Sequence, residues 1–449
     1  MRFRLLIAGC IFSSAIAAQM PIYGADSMVN YYQEKADALM FGDTSIRKII
    51  SLDIYGITMF SSPDQSVSDM PAMDYRVTWQ ELSTYKNVMA FESRESAQEI
   101  MNEKGIKPFS PAIQKQYGNG ILSKAGYKFR TPQKPLAGMK IAIDPGHIAN
   151  DTAFGHLEQK FISMKIPSAK NPSDSVPVAF AEGQLTWQAA NMLAVRLRNA
   201  GAEVMFTRKG PGVTAFGKTF DQWKKDDYKR TLDSLLNVDP SDQNLLDLKR
   251  GIKKEDRSIF RFVFRDAELL KRADIINEFH PDLTVVIHFN VDETNSPWNK
   301  PTTKNYCMLF VPGSFQREEL STREARFDFL RLLLTDDIEQ SIEASGFVGK
   351  QFNERLQVPL ADPSSATYLS TSCRKTTRRG VFARNLSMTR LVHGPIIYGE
   401  TLYQDNAFEA RRLADMSVSD AQSGLTVSKR VLEVAEAYFE GIMQWSYSK

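Results

Sequence analysis

Little in this 449-residue chain is abundant enough to name a class, and its scarcities bound it first. Cysteine occurs 3 times, which excludes a disulfide-stapled scaffold. Gly at 25 and Pro at 20 are too few for a collagen-like or low-complexity chain. Lys and Arg total 56 against 53 Asp and Glu, a formal charge of +3, so a polyelectrolyte partner such as bulk nucleic acid is disfavoured. Beyond the first residues no run reaches the ~20 apolar residues that a transmembrane span needs. Histidine is also scarce, 5 in all, so any placed at strand ends are conspicuous. What remains is an ordinary globular mixture, 43% hydrophobic and 24% charged. The length suggests about two or three domains.

The N-terminus reads as an export signal. Met1-Arg2-Phe3-Arg4 is a short basic start, an apolar stretch runs from Leu5 to Ala17, and Ala15-Ile16-Ala17 gives the small-x-small cleavage pattern, so residues 1–17 read as a signal peptide. Ile7-Ala8-Gly9-Cys10 resembles a lipobox, but the apolar stretch before Cys10 is short for a signal core, and lipidation is disfavoured. Cys307 and Cys373 then remain, paired or reduced.

Residues 18–136 form a mixed N-terminal segment: helical character over Asp26–Phe41, strand-like character over Ile49–Phe60, loop chemistry over Ser61–Asp74 and a helix over Ser93–Lys104. Thr131-Pro132-Gln133-Lys134-Pro135 reads as a linker. From residue 137 to 449 the pattern is α/β. Strands are expected at Met139–Ile143, Val204–Phe206, Leu283–Ile287, Tyr306–Val311 and Pro395–Tyr398. Between them, helices are expected at Leu185–Ala200 with Gly201 as its cap, Ala267–Phe279, Phe327–Ile342 and Val427–Trp445. Unbroken apolar strands alternating with helices predict a mostly parallel twisted sheet covered by helices on both faces. Lys209–Arg257 carries 11 basic and 9 acidic residues in 49 and reads as a solvated helical insertion rather than core.

Chemistry concentrates where the strands end. His147 follows the first strand in Ile143-Asp144-Pro145-Gly146-His147, His288 closes Thr284–His288, and Glu400 closes Ile396–Glu400. Open α/β sheets bind ligands beyond their strands' C-terminal ends. Glu182 stands just before the helix near Leu185, where the dipole favours a carboxylate. Two histidines and a carboxylate are a catalytic zinc set, and a further carboxylate can take the proton of an attacking water. His147, Glu182 and His288 fit the first role, and Glu400 the second. Taken singly, each has an ordinary reading as a satisfied polar residue or a surface acid. No His-Glu-x-x-His segment exists.

Several segments together resemble the zinc-dependent N-acetylmuramoyl-L-alanine amidases. They are Ile141–His147, Glu182 with Ala190-Asn191-Met192-Leu193, Gly201–Arg208, Arg272-Ala273 with Asn277, Asp282-Leu283, His288-Phe289-Asn290 and Pro395–Glu400. The likeness spans residues 137–449, interrupted by insertions. It implies hydrolysis of the amide between muramic acid and L-alanine in peptidoglycan, with one zinc ion on His147, Glu182 and His288 and with Glu400 as the catalytic carboxylate. It also implies action in the periplasm or cell envelope of a bacterium, with an envelope activator protein as a candidate partner.

The sequence departs from the family pattern in three places: Ile148-Ala149 stands where glycine usually follows the first His, the loop Ile148–Ala181 is longer than usual, and Gly399-Glu400-Thr401 replaces the commoner ending. In that loop Asp151 and His156 are expected as loop polar residues, and His280 and His393 as structural. Arg374, Lys375, Arg378, Arg379, Arg384 and Arg390 form a basic run that either is solvated or faces stem-peptide carboxylates. Asp336, Glu339 or Glu354 could block the site from an autoinhibitory helix. Two rivals stand beside the amidase reading: a zinc peptidase acting within stem peptides, and a catalytically silent envelope-binding regulator.

Overall fold

The structure is a computed structural model that describes residues 25–42, 47–61, 72–120, 131–171 and 173–449. The signal-peptide reading, Cys10 and most of the Ser61–Asp74 loop lie outside the described residues.

The N-terminal segment begins with the helix Ala25–Leu39 and a three-stranded antiparallel sheet, β1 (Ile50–Asp53), β2 (Gly56–Phe60) and β3 (Met73–Thr78). The strand expected over Ile49–Phe60 is thus a hairpin. Asp53 Oδ1 accepts the N–H of Tyr55 (2.8 Å) and Gly56 (3.0 Å), closing a tight turn. Gly56 has φ +155, and a Cβ there would strike the backbone of Thr78 at 2.9 Å. Helices Leu82–Phe91, Arg94–Lys104 and Pro111–Tyr117 follow; only the middle one was legible. This segment does not bury its apolar face alone. Ile57, Met59, Tyr75 and Val77 share one core with Phe315, Phe327, Leu330 and Leu333. Arg326–Asp74 (2.5 Å) and Arg94–Asp328 (3.1 Å) pair across the same contact.

The central sheet grows from β4 (Lys140–Pro145). A hairpin, β5 (Phe161–Pro167) and β6 (Ser175–Ala181), stands beside it, and the sheet continues through β7 (Glu203–Phe206), β8 (Leu283–Asn290), β9 (Met308–Val311), β10 (Arg374–Lys375), β11 (Val381–Ala383) and β12 (Ile396–Tyr403). The seven strands lie in the order β10-β11-β9-β12-β8-β4-β7. The β12-β8-β4-β7 half is parallel, while β9 runs antiparallel to β12 and β10 to β11, so the sheet is mixed though mostly parallel.

Helices cover both faces, as the alternation predicted. Ile141, Ile143, Val285, Ile287 and Ile397 point to one face, under Glu182–Asn199, Asp337–Leu356 and Lys429–Ser448. Ala142, Val286 and Ile396 point to the other, under Arg265–Phe279 and Ser387–Leu391. Fully burying one Leu or Ile contributes ~1.5–3 kcal/mol, so these two layers dominate the fold's stability.

Four readings change. The expected helix Phe327–Ile342 is two helices, Arg323–Leu334 and Asp337–Leu356. Between them Thr335 is extended and its carbonyl accepts Lys35 Nζ at 2.7 Å. The same lysine pairs Asp336 (3.7 Å) and Glu339 (3.1 Å), and Glu354 lies near Lys350 (3.9 Å), so the three carboxylates considered for blocking the site are engaged elsewhere. The charged segment 209–257 is helical but not merely solvated: Phe220, Trp223, Leu232, Leu236, Leu245 and Leu248 build a core of their own with Phe260, Val263, Phe264 and Ile148. The long loop after His147 contains the helix Thr152–Glu158 and the β5–β6 hairpin. Finally, His288 and Glu400 lie inside β8 and β12 rather than ending them, and Glu182 is the first residue of its helix. Cys307 and Cys373 are both buried free thiols.

Candidate active site

Three elements bring His147, Glu182 and His288 together. β4 ends at Pro145, and His147 turns away with φ +58, the left-handed region that a non-glycine side chain seldom adopts. That turn is anchored from below. Asp144 accepts Thr207 Oγ1 (2.5 Å) and Arg272 Nη1 (3.1 Å), and Arg272 reaches Glu268 (3.1 Å) and the carbonyls of Pro145 (3.1 Å) and His147 (3.3 Å). From the far side, Glu158 accepts the N–H of Ile148 (2.9 Å) and Ala149 (2.8 Å). Asp144, Glu268 and Arg272 are all nearly fully buried, and burial alone would disfavour each charge; the two carboxylates raise the Arg272 pKa above its ordinary value. Breaking such a network strands a charge and costs about 3–5 kcal/mol.

His288 points to the face covered by Arg265–Phe279, and Tyr398 of the neighbouring strand stacks flat on it, centroids 5.0 Å apart at 7°. The His147 ring meets it edge-on at 4.8 Å. Glu182 arrives from the opposite face of the sheet, at the N-terminus of its helix, where backbone N–H groups favour negative charge. Its Oε1 lies 3.0 Å from His288 Nδ1, 3.4 Å from His147 Nε2 and 3.1 Å from the Phe289 N–H, and Oε2 accepts Gln404 Nε2 at 3.1 Å.

The electrostatics follow from this packing. Burial lowers the His147 pKa. Burial would also lower that of His288, but its hydrogen bond to Glu182 and the charges of Glu400 and Glu182 outweigh it, and the pKa is raised. Burial opposes ionisation of Glu182, yet its contacts with the two imidazoles hold it well below the usual carboxylate range. Glu400 is the Cα partner of His288. Its pKa is raised, first by burial and then by the charge of Glu182.

Each site residue named from sequence is therefore in this neighbourhood. Among the described residues, His147, Glu182 and His288 form the group able to hold a metal ion, their ligand atoms within 4.8 Å of one another. Two imidazoles with one carboxylate suit a borderline cation such as zinc. Asp151 instead caps the helix Thr152–Glu158 through the Phe154 N–H (2.8 Å), and His156, expected in a loop, lies in the last turn of that helix on the Phe161 ring at 3.7 Å. The basic run does not form one surface: Arg384 lies between the Phe310 and Tyr368 rings, Arg390 faces Asp328 at 3.7 Å, and Arg378 and Arg379 line a separate cleft with Lys350.

The site opens into a cavity of about 280 Å³ lined by His147, Glu158, Lys160, Phe260, Phe264, His288 and Tyr398. Phe260 and Phe264 bound a π-helical turn, Phe260–Phe264, a form that recurs at functional sites. Lys160 and this aromatic wall were not singled out from sequence, because Lys160 lies in the long segment after His147 and the wall follows the charged insertion.

With that geometry in view, comparison with known proteins is decisive. The family model described as N-acetylmuramoyl-L-alanine amidase matches residues 141–426. The chain belongs to this amidase family.

The match begins at β4 and its span includes His147, Glu182, His288 and Glu400. No curated protein matches the chain. Solved structures similar to it include the CwlD amidase of Clostridioides difficile in complex with the GerS lipoprotein, at 14% identity and TM-score 0.37, covering 69% of this chain and 100% of that one. An N-acetylmuramyl-L-alanine amidase from Mycobacterium smegmatis is also similar, at 14% identity and TM-score 0.36, covering 70% and 99%. No helix among the described residues is long and apolar enough to cross a membrane.

Proposed function

We propose that this amidase is an exported zinc hydrolase that cleaves the amide between N-acetylmuramic acid and L-alanine in peptidoglycan, in the bacterial periplasm or envelope. The observation that carries the metal assignment is the convergence of His147, Glu182 and His288 from three elements. In this reading those three side chains hold one zinc ion. The ion supplies Lewis acidity toward the scissile carbonyl and lowers the pKa of water.

The chain's own residues do the rest. Glu182 lies between the two imidazoles, and its second oxygen is held by Gln404. Tyr398 keeps the His288 ring flat. Glu400 accepts a proton from the attacking water on a carboxylate oxygen and returns it to the departing alanine nitrogen. A carboxylate of raised pKa suits that two-way transfer, because burial makes it bind a proton more readily than an exposed glutamate does. Export rests on the basic start and apolar stretch of residues 1–17.

The assignment is tested by metal content and turnover together. Glu400→Gln should retain zinc while losing activity by about 10²–10⁴-fold, the usual contribution of a positioned proton-transfer group. His288→Ala should lose zinc and activity together. An active Glu400→Gln protein, or an active zinc-free wild type, refutes the assignment.

A further inference from the structure

The cavity beside the site contains a cation that the mechanism does not use. Lys160 precedes β5, and its carbonyl accepts the Glu182 N–H at 3.2 Å, so its backbone is fixed to the helix end that presents Glu182. Its side chain lines the cavity with His147, His288 and Tyr398. Most of the acids around it are already engaged, and Glu400 feels its charge without forming an ion pair with it. Glu158 is held by Ile148 and Ala149, Glu182 by His288, Phe289 and Gln404, and Asp144 and Glu268 by Arg272. Among the described residues the Lys160 ammonium has no ion pair, although its charge is felt at Glu182, His288 and Glu400. A half-buried cation without a counter-ion is poorly compensated, and an anion arriving in the cavity would complete it.

The substrate chemistry names that anion. In the scissile amide the lactyl carboxyl of the sugar is already consumed, so the carboxylates available next to the bond belong to the peptide. We propose that Lys160 is a specificity-determining residue that takes a free carboxylate of the leaving peptide, one residue beyond the scissile amide. The inference rests on the amidase reading. It makes the enzyme selective for stem peptides whose second residue, a γ-linked D-glutamate, keeps its α-carboxylate rather than carrying an amide there.

The test uses the zinc-loaded full chain and two peptides in which the glutamate γ-carboxyl is consumed, L-alanyl-γ-D-glutamyl-L-lysine and its analogue amidated at the glutamate α-carboxyl, titrated by calorimetry. Wild type should bind the free acid about tenfold more tightly than the amide, the scale of one charge-assisted contact in a part-buried site. Lys160→Met should bind both alike, and Lys160→Arg should restore the preference. Equal binding of both peptides by wild type, or a preference that survives in Lys160→Met, overturns the inference.

Turnover of the matching muramoyl peptides adds a second readout. The Lys160→Met loss should fall on KM for the free acid. A fall in kcat shared by both substrates marks a role at the reacting carbonyl and overturns the assignment. If wild type binds with the expected preference but cleaves no muramoyl amide, the amidase reading fails and with it the role of Lys160 as selector of the leaving peptide, whereas cleavage without the preference overturns the Lys160 inference alone.

Discussion

Glu400 and His288 are direct partners in the parallel ladder between β12 and β8, so the proposed proton carrier stands beside a proposed metal ligand on one rigid surface. Neither sits on a loop. The strand ladder fixes their separation, and the remaining freedom lies in the His147 turn and in the helix that presents Glu182.

The first prediction concerns Gly146. A Cβ there would lie 2.6 Å from Nδ1 of the His288 ring, closer than real Cβ atoms approach, so the ring would have to shift from its place. Gly146→Ala should fold with wild-type circular dichroism but lose zinc affinity and activity by at least about tenfold, on the scale of lost ligand orientation. Full zinc occupancy with full activity would show that the ring's placement is not limiting.

A second prediction concerns the charged insertion. Trp223 is fully buried among Phe216, Phe220 and Phe264, and Phe264 also lines the cavity. Trp223→Ala should cost about 3–5 kcal/mol in denaturant unfolding of this layer. It should also impair turnover, because the cavity wall loses its backing. Unaltered stability would return the insertion to a solvated appendage.

How far the sequence could be read follows from where each feature gets its order. His147, His288 and Glu400 were legible because short apolar strands announce their own ends, and Glu182 because a helix start favours an acid. The ladder still runs past His288 and Glu400, since register is decided by neighbouring strands rather than by local composition. The hairpin at Asp53–Gly56 was hidden because a two-residue interruption, Ile54-Tyr55, is itself apolar. The break after Leu334 could not be seen, because the lysine that holds it is about 300 residues away in sequence. Charge density likewise obscured the insertion's core: 41% charged residues, from 20 in 49, still leave Phe220, Trp223 and four leucines buried on the inner sides of three short helices.

Acid stability provides a third prediction. Asp292 follows β8 and accepts Lys304 Nζ (2.8 Å), Thr302 Oγ1 (2.8 Å) and Thr294 Oγ1 (2.7 Å). Burial works to raise its pKa, but these hydrogen bonds dominate and lower it from 3.8 to about 2. The folded state therefore binds its proton less readily than the unfolded chain. The resulting stabilisation is present in full above pH ~4 and is lost as pH falls toward about 2, a contribution of about 2 kcal/mol. Asp292→Asn should be less stable at pH 7 by about that amount, with the difference from wild type shrinking below pH ~4. A difference that stays constant down to pH 2 would remove Asp292 as its source.

The central claim is tested most directly by digesting purified peptidoglycan with the zinc-loaded full chain and identifying the ends released. The account expects free L-alanine amino termini and intact, unmodified glycan strands, with release abolished by chelation, restored by zinc and absent in Glu400→Gln. New termini inside the stem peptides would mark a zinc peptidase, and no release at all a wall-binding regulator; either result contradicts the account.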